Sequence, residues 1–145
     1  MKQILLFILV GLSLCRCSEL GLNTSATARQ LDPRPTGIPI ASGTLLPLNG
    51  QSSITGNVLI FLQSPSSYIL RLEGLNITWE AGLKIKITST QNGITQNPIY
   101  LDLRFNNGNQ NYTFSTPGTN SKFDFVYIYS TQSILDYASA RLFTN

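Results

Sequence analysis

Short runs in which apolar and polar residues alternate dominate the chain after residue 41, and this two-residue period most constrains its fold. In the run 83–88, Leu83, Ile85 and Ile87 alternate with polar residues, which is typical of a strand with one face toward a core. Similar alternating runs lie at 68–73, 99–105, 111–114 and 138–142, and the runs 57–62 and 123–129 are rich in residues that favour strands. About eight short strands predict an all-β fold, an antiparallel β-sandwich that is jelly-roll-like or barrel-like.

Two segments carry further structural information. The run 123–129 is apolar on both faces, which predicts a central strand. The segment 106–111 is rich in asparagine and contains Asn107-Gly108. Because Asn-Gly is the strongest short hairpin signal, we expect a hairpin turn there. Calcium usually requires two or more carboxylates, and only Asp102 is near, so no metal site is predicted.

The N-terminus has the organisation of an export signal. Lys2 precedes an apolar run at 4–14 that is broken only by one glycine and one serine. The run is shorter than the ~20 residues of a membrane-spanning helix and matches the apolar part of a signal peptide. Cys15 and Cys17 follow it directly. This position predicts a bacterial lipoprotein acylated at Cys17, or alternatively at Cys15, and ordinary secretion is the other possibility.

The chain therefore divides into three parts. Residues 1–17 are the predicted lipoprotein signal, and residues 18–41, with Pro33, Pro35 and Pro39, read as a tether. As a flexible coil this tether would span ~25–30 Å. Residues 42–145 form the β domain. The expected location is the cell envelope, with the N-terminal lipid in the membrane.

Composition excludes several classes of function. The chain has no histidine, and no cysteine or methionine follows residue 17. It therefore lacks the commonest general base and the commonest transition-metal ligands, and we predict no catalytic residue, no metal and no cofactor. Without Lys2 and Arg16, eight basic residues remain against seven acidic ones. A charge this close to zero argues against a nucleic-acid partner.

The second half of the chain resembles the DM-thirteen family, small secreted β domains often labelled electron-transfer domains. The resemblance lies mainly in three blocks, Gly108-Asn109-Gln110-Asn111-Tyr112, Val126-Tyr127-Ile128-Tyr129-Ser130 and Tyr137-Ala138-Ser139-Ala140-Arg141-Leu142. It implies a small extracytoplasmic β domain and a redox role that depends on a family cysteine. Ser130 stands at the position of that cysteine, and Glu80-Ala81-Gly82 replaces the family's Gly-Pro-Asp. Serine has no accessible redox couple.

Candidate binding residues are Trp79, Asn107 and Asn109. The six tyrosines could also form an aromatic platform, but core packing is predicted for most of them, because aromatic residues are enriched in strands. We therefore expect a non-catalytic envelope protein that presents its β domain for binding or adhesion to a protein or glycan ligand. The first alternative is the redox module that the family label implies. The second is a small hydrolase with paired acids, for which the candidates are Asp102, Asp124 and Asp136.

The lipoprotein hypothesis predicts detergent partitioning. The wild-type protein should enter the detergent phase, because an acylated cysteine anchors it, and the double variant Cys15→Ser/Cys17→Ser should stay in the aqueous phase. Phase separation followed by immunoblotting measures both. Release of the wild type as a soluble protein that begins after Ser18 would contradict the hypothesis.

Overall fold

Two antiparallel β-sheets pack face to face in this protein, which confirms the predicted β-sandwich. The computed structural model describes residues 32–50, 53–78, 80–91, 94–117 and 121–145. The strands in these residues are β1 (Ala41–Thr44), β2 (Leu46–Pro47), β3 (Thr55–Ser64), β4 (Ser67–Asn76), β5 (Leu83–Gln91), β6 (Ile94–Thr95), β7 (Ile99–Asp102), β8 (Asn107–Ser115), β9 (Lys122–Ser130), β10 (Leu135–Arg141) and β11 (Phe143–Thr144). Three of the eleven have only two residues. The eight longer strands agree with the predicted number.

The strands divide between the sheets in an order that differs from their order in the chain. Sheet A has the order β11-β1-β3-β4-β8, and sheet B has the order β2-β10-β9-β5-β6, with β7 also paired to β5. The predicted central strand at 123–129 is β9, which lies between β10 and β5. Both of its neighbours are antiparallel to it.

The predicted hairpin turn at Asn107-Gly108 is wrong. Strand β7 belongs to sheet B and strand β8 to sheet A, so the chain crosses between sheets here instead of folding back on itself. Asn107 is the first residue of β8 and pairs with Asn76 of β4. The buried Gln110 side chain holds the crossing, since its amide both donates to and accepts from the backbone of Phe105. The pairing of β8 with β4 outweighs the local turn preference.

The core lies between the sheets and is built from the alternate residues of each strand. Ile85 and Ile87 of β5 and Val126 and Ile128 of β9 are at most 1% exposed. At one end of the sandwich, the rings of Tyr68, Phe114 and Phe123 pack together with centroid separations of 4.8–5.6 Å. The inward side of β5 thus consists of the residues that the sequence alternation predicted.

Residues before β1 also contact the folded domain. The Ile40 N–H donates to the Ile60 carbonyl (2.7 Å), and the Asn145 side chain donates to the Pro39 carbonyl (3.0 Å). Arg71 binds the carbonyls of Asp32 and Pro33. The C-terminal part of the predicted 18–41 tether is therefore held against the sandwich.

Cys15, Cys17 and the rest of the predicted signal lie outside the described residues. In the described ranges, no helix has the length and apolar character needed to cross a bilayer.

The register of β5 predicts unequal effects of two neighbouring substitutions. Ile85→Ala should lower the free energy of unfolding by about 2–4 kcal/mol, because Ile85 is fully buried in the core. Lys84→Ala should cost about 0.5 kcal/mol or less, because Lys84 forms a surface ion pair with Asp102. Denaturant unfolding measures both values. Equal costs would show that the strand register is wrong.

Candidate functional site

The outward side of sheet B carries a group of aromatic side chains. Val126 and Ile128 point into the core, so Phe125, Tyr127 and Tyr129 face outward and are half-buried. Tyr100 of β7 is 49% exposed and lies in the same cross-strand row as Tyr127. We call these four residues, Tyr100, Phe125, Tyr127 and Tyr129, the aromatic face. No described strand packs over it.

The rings of the aromatic face form two pairs. The centroids of Tyr100 and Tyr129 are 5.8 Å apart with the rings tilted by 57°. Phe125 and Tyr127 are also 5.8 Å apart and are stacked at 29°. Tyr127 and Tyr129 stand two residues apart on β9, so their Cα atoms are separated by about 6.6–6.8 Å along the strand. The face is therefore an extended row rather than a closed pocket.

Lys86 links the two pairs. Its Nζ lies 4.3 Å from the Tyr127 ring centroid and 5.4 Å from that of Tyr129, within the range of cation–π attraction. The same Nζ donates to both carboxylate oxygens of Asp136 (2.6 and 2.7 Å). The alternation in 83–88 places Lys86 on the outward side of β5, but its side chain is only 17% exposed. It positions the tyrosine rings, and Asp136 neutralises its charge.

A cavity of about 390 Å³ continues the aromatic face toward the other end of β9. Its walls consist of Thr88, Thr95, Lys122, Asp124, Phe125, Arg141 and Leu142. Phe125 belongs to both the face and the cavity. Asp124 accepts a hydrogen bond from the Thr90 hydroxyl (2.6 Å). The arrangement places aromatic rings beside hydroxyl, carboxylate and cationic groups.

Ser130 lies in a partly buried polar cluster with Glu80, Ser133 and Tyr137. Its hydroxyl donates to one Glu80 oxygen (3.2 Å) and accepts the Ser133 N–H (3.2 Å), while the Tyr137 hydroxyl donates to the other Glu80 oxygen. A carboxylate against a serine hydroxyl is an arrangement that the sequence did not reveal. However, Ser130 is 0% exposed, so its Oγ cannot reach a substrate as a nucleophile must. The cluster holds the β9–β10 turn against the segment before β5.

The structure does not bring the other candidate binding residues to this face. Asn107 and Asn109 lie on β8 in sheet A, and the Asn109 side-chain oxygen accepts the Gly74 N–H (2.9 Å). Trp79 lies outside the described residues.

The three acids considered for a hydrolase are dispersed over sheet B. Asp102 and Asp136 lie in one row across four strands, which separates their Cα atoms by three strand spacings, about 14 Å. Glycosidase carboxyl groups lie about 5–9.5 Å apart. Asp102 is bound to Lys84, Asp136 to Lys86 and Asp124 to Thr90. Within the described part of the chain, no group of acids could hold a metal ion.

A second polar cluster lies on the outer side of sheet A, where Asp32 meets two strands. One Asp32 carboxylate oxygen accepts from Arg104 (2.6 Å) and from the Asn111 N–H (2.8 Å). Burial raises the pKa of the Asp32 carboxyl, but these hydrogen bonds and the charges of Arg104 and Arg71 outweigh it and hold that pKa below its ordinary value. Arg71 is 3% exposed and also donates to Asn111 and Glu73. The cluster fastens the segment before β1.

Comparisons with protein-family models, curated proteins and solved structures find no match for this chain. The resemblance to the DM-thirteen family therefore stays a prediction based on the residues quoted above.

Sequence reasoning named the tyrosines as platform candidates but favoured core packing for most of them. The structure divides them equally, since Tyr68, Tyr112 and Tyr137 are buried and the other three belong to the aromatic face. The apolar character of both sides of 123–129 predicts the central position of β9 and does not distinguish its inward side from its outward side. An exposed aromatic side could have been predicted from the alternation of ring and aliphatic residues. Phe125, Tyr127 and Tyr129 alternate with Val126 and Ile128.

The lowered pKa of Asp32 predicts an acid-sensitive contribution to stability. A depressed carboxyl pKa stabilises the fold above about pH 4 and stops doing so as the pH falls through the folded-state value. The wild type should therefore exceed Asp32→Asn in unfolding free energy by a constant amount from pH 7 to about pH 5, and by less below about pH 4. Denaturant titrations measure this.

The control for this experiment is Leu62→Ala, which changes an exposed residue of β3 without removing a titrating group. Its difference from the wild type should not vary with pH. An Asp32→Asn difference that is equally constant down to pH 2 would contradict the assigned role of Asp32.

Proposed function

We propose that this protein is a non-catalytic binding or adhesion module of the cell envelope and that its aromatic face contacts the ligand. The observation that carries the proposal is the row of Tyr100, Tyr129, Tyr127 and Phe125 on the uncovered side of sheet B. A contiguous apolar patch on a protein surface marks an interaction site more often than scattered exposed residues do. Here, the described strands leave one side of the sheet uncovered.

A glycan fits this surface best. The C–H groups on one face of a sugar ring carry partial positive charge and are attracted to the negative face of an aromatic ring. Tyrosine also offers a hydroxyl for hydrogen bonds with sugar hydroxyl groups. The ion pair of Lys86 with Asp136 and that of Lys84 with Asp102 balance the charge beside the rings. An extended, nearly neutral aromatic row suits a chain of sugars.

Attachment to the membrane forms part of the same proposal. Acylation at Cys17 or Cys15 would hold the domain at the envelope, and the unacylated alternative is a secreted binding protein. The contacts of Asp32 and Pro33 with Arg71 hold the described end of the proposed tether against sheet A. The DM-thirteen resemblance agrees with a small extracytoplasmic β domain.

The redox alternative has less support. It depends on a thiol at the position of Ser130, and the chain has no cysteine after Cys17. The burial of Ser130 and its hydrogen bonds with Glu80 and Ser133 favour a structural role.

Substitution on the aromatic face tests the proposal. Wild-type protein should bind at least one polysaccharide of a panel of neutral and acidic chains. Tyr100→Ala should weaken that binding roughly fivefold, since an aromatic contact contributes about 1 kcal/mol. Tyr100→Ala/Tyr129→Ala should weaken it further. Affinity electrophoresis measures retardation, and thermal unfolding verifies that the variants fold.

Leu62→Ala is the matched control, because Leu62 is an exposed apolar residue of sheet A. It should bind like the wild type. If no polysaccharide retards the wild type, or if both tyrosine variants bind unchanged, the proposed function is wrong.

A further inference from the structure

The distribution of unpaired positive charge distinguishes one end of the aromatic face. Of the seven basic residues in the described ranges, five form ion pairs with carboxylates. These five are Arg34, Arg71, Lys84, Lys86 and Arg104. The other two, Lys122 and Arg141, are exposed and form no ion pair with a described carboxylate. Both line the cavity at the end of the face.

The strand register brings these two charges to the same end of sheet B. Arg141 of β10 pairs with Phe125 of β9, while Lys122 begins β9 and pairs with Thr90 of β5. Asp124 lies between them in sequence, and its carboxylate accepts the Thr90 hydroxyl. Lys122, Arg141 and Asp124 all line the cavity, the Arg141 guanidinium carbon lies 5.5 Å from the Phe143 ring centroid, and Phe125 stands at the junction with the aromatic face.

We infer that the ligand is an acidic polysaccharide, a chain of uronic acid sugars, and that Lys122 and Arg141 bind one of its carboxylates in the cavity. This inference rests on the proposed function and names the class of glycan. A guanidinium presents paired N–H donors that match the two oxygens of a carboxylate, and a nearby ammonium adds a second charged donor. Asp124 accepts a hydrogen bond from a hydroxyl of the same sugar.

The position of the cavity gives the bound chain a direction. A carboxylate held by Arg141 places its sugar ring beside Phe125, and the following sugars extend over Tyr127 and Tyr129 toward Tyr100. The charges beside those rings are paired internally by Lys86–Asp136 and Lys84–Asp102. Recognition of charge is thereby confined to the cavity, while the rings contact the C–H faces of the following sugars, whose own carboxylates stay in solvent.

The test compares polygalacturonate with its methyl ester, because the ester retains the sugar backbone and removes the charge. The full-length protein should bind polygalacturonate about tenfold more tightly than the ester. Arg141→Ala and Lys122→Ala should each remove most of this preference while ester binding stays unchanged. Raising the salt concentration should weaken binding of the acid form alone, because exposed charges are screened. Binding to the immobilised polysaccharides gives these affinities.

Arg34→Ala is the control, since it removes the same charge from a residue that is ion-paired on sheet A. It should keep the wild-type preference. Equal binding of the acid and the ester, or an unchanged preference in Arg141→Ala and Lys122→Ala, overturns this inference and leaves the glycan-binding function intact. If the protein binds neither polygalacturonate nor its methyl ester, and also binds no neutral polysaccharide of the panel, both this inference and the proposed function are wrong. Preference for an acidic peptide over polygalacturonate overturns the choice of glycan.

Discussion

Burial of Val126 and Ile128 in the sandwich core determines the character of the opposite side of sheet B. Side chains alternate along a strand, so the residues between and beside these two must face outward. In β9 those residues are Phe125, Tyr127 and Tyr129. The same packing that stabilises the core therefore also produces the aromatic face. A shift of one residue in the β9 register would bury the rings and expose the aliphatic residues.

Lys86 connects the stability of this surface with its chemistry. It lies on the neighbouring strand β5, directly across from Tyr127, and its ammonium group contacts two rings and one carboxylate. The contact orders the rings, and the charges of Lys86 and Asp136 neutralise each other in an ion pair. As a result, the unpaired positive charge on this side of the described structure belongs to Lys122 and Arg141. The aromatic rings of Tyr127 and Tyr129 and the unpaired cationic residues are thus at different positions along β9.

The polar clusters around Ser130 and Asp32 serve the framework. Glu80 and Tyr137 satisfy the buried hydrogen-bonding groups near Ser130, and Arg71 and Arg104 fasten Asp32 to sheet A. Across the described residues, every buried side-chain nitrogen and oxygen has a hydrogen-bond partner. Since unpaired buried polar groups are costly, these clusters stabilise the sandwich. The proposed binding surface lies on the outer side of sheet B.

The all-β class, the approximate number of strands and the inward-facing Leu83, Ile85 and Ile87 of β5 could be predicted from the sequence, because a two-residue period is a local property of the chain. The sequence also indicated Phe123–Tyr129 as a central strand. The grouping of strands into sheets, and the crossing of the chain between sheets before Asn107, could be seen only in the folded structure. The folded structure also brings Ser130 to Glu80, and it places Lys122 and Arg141 at one cavity. These residues are far apart in sequence, and neither strand order nor cross-strand register is encoded in local alternation.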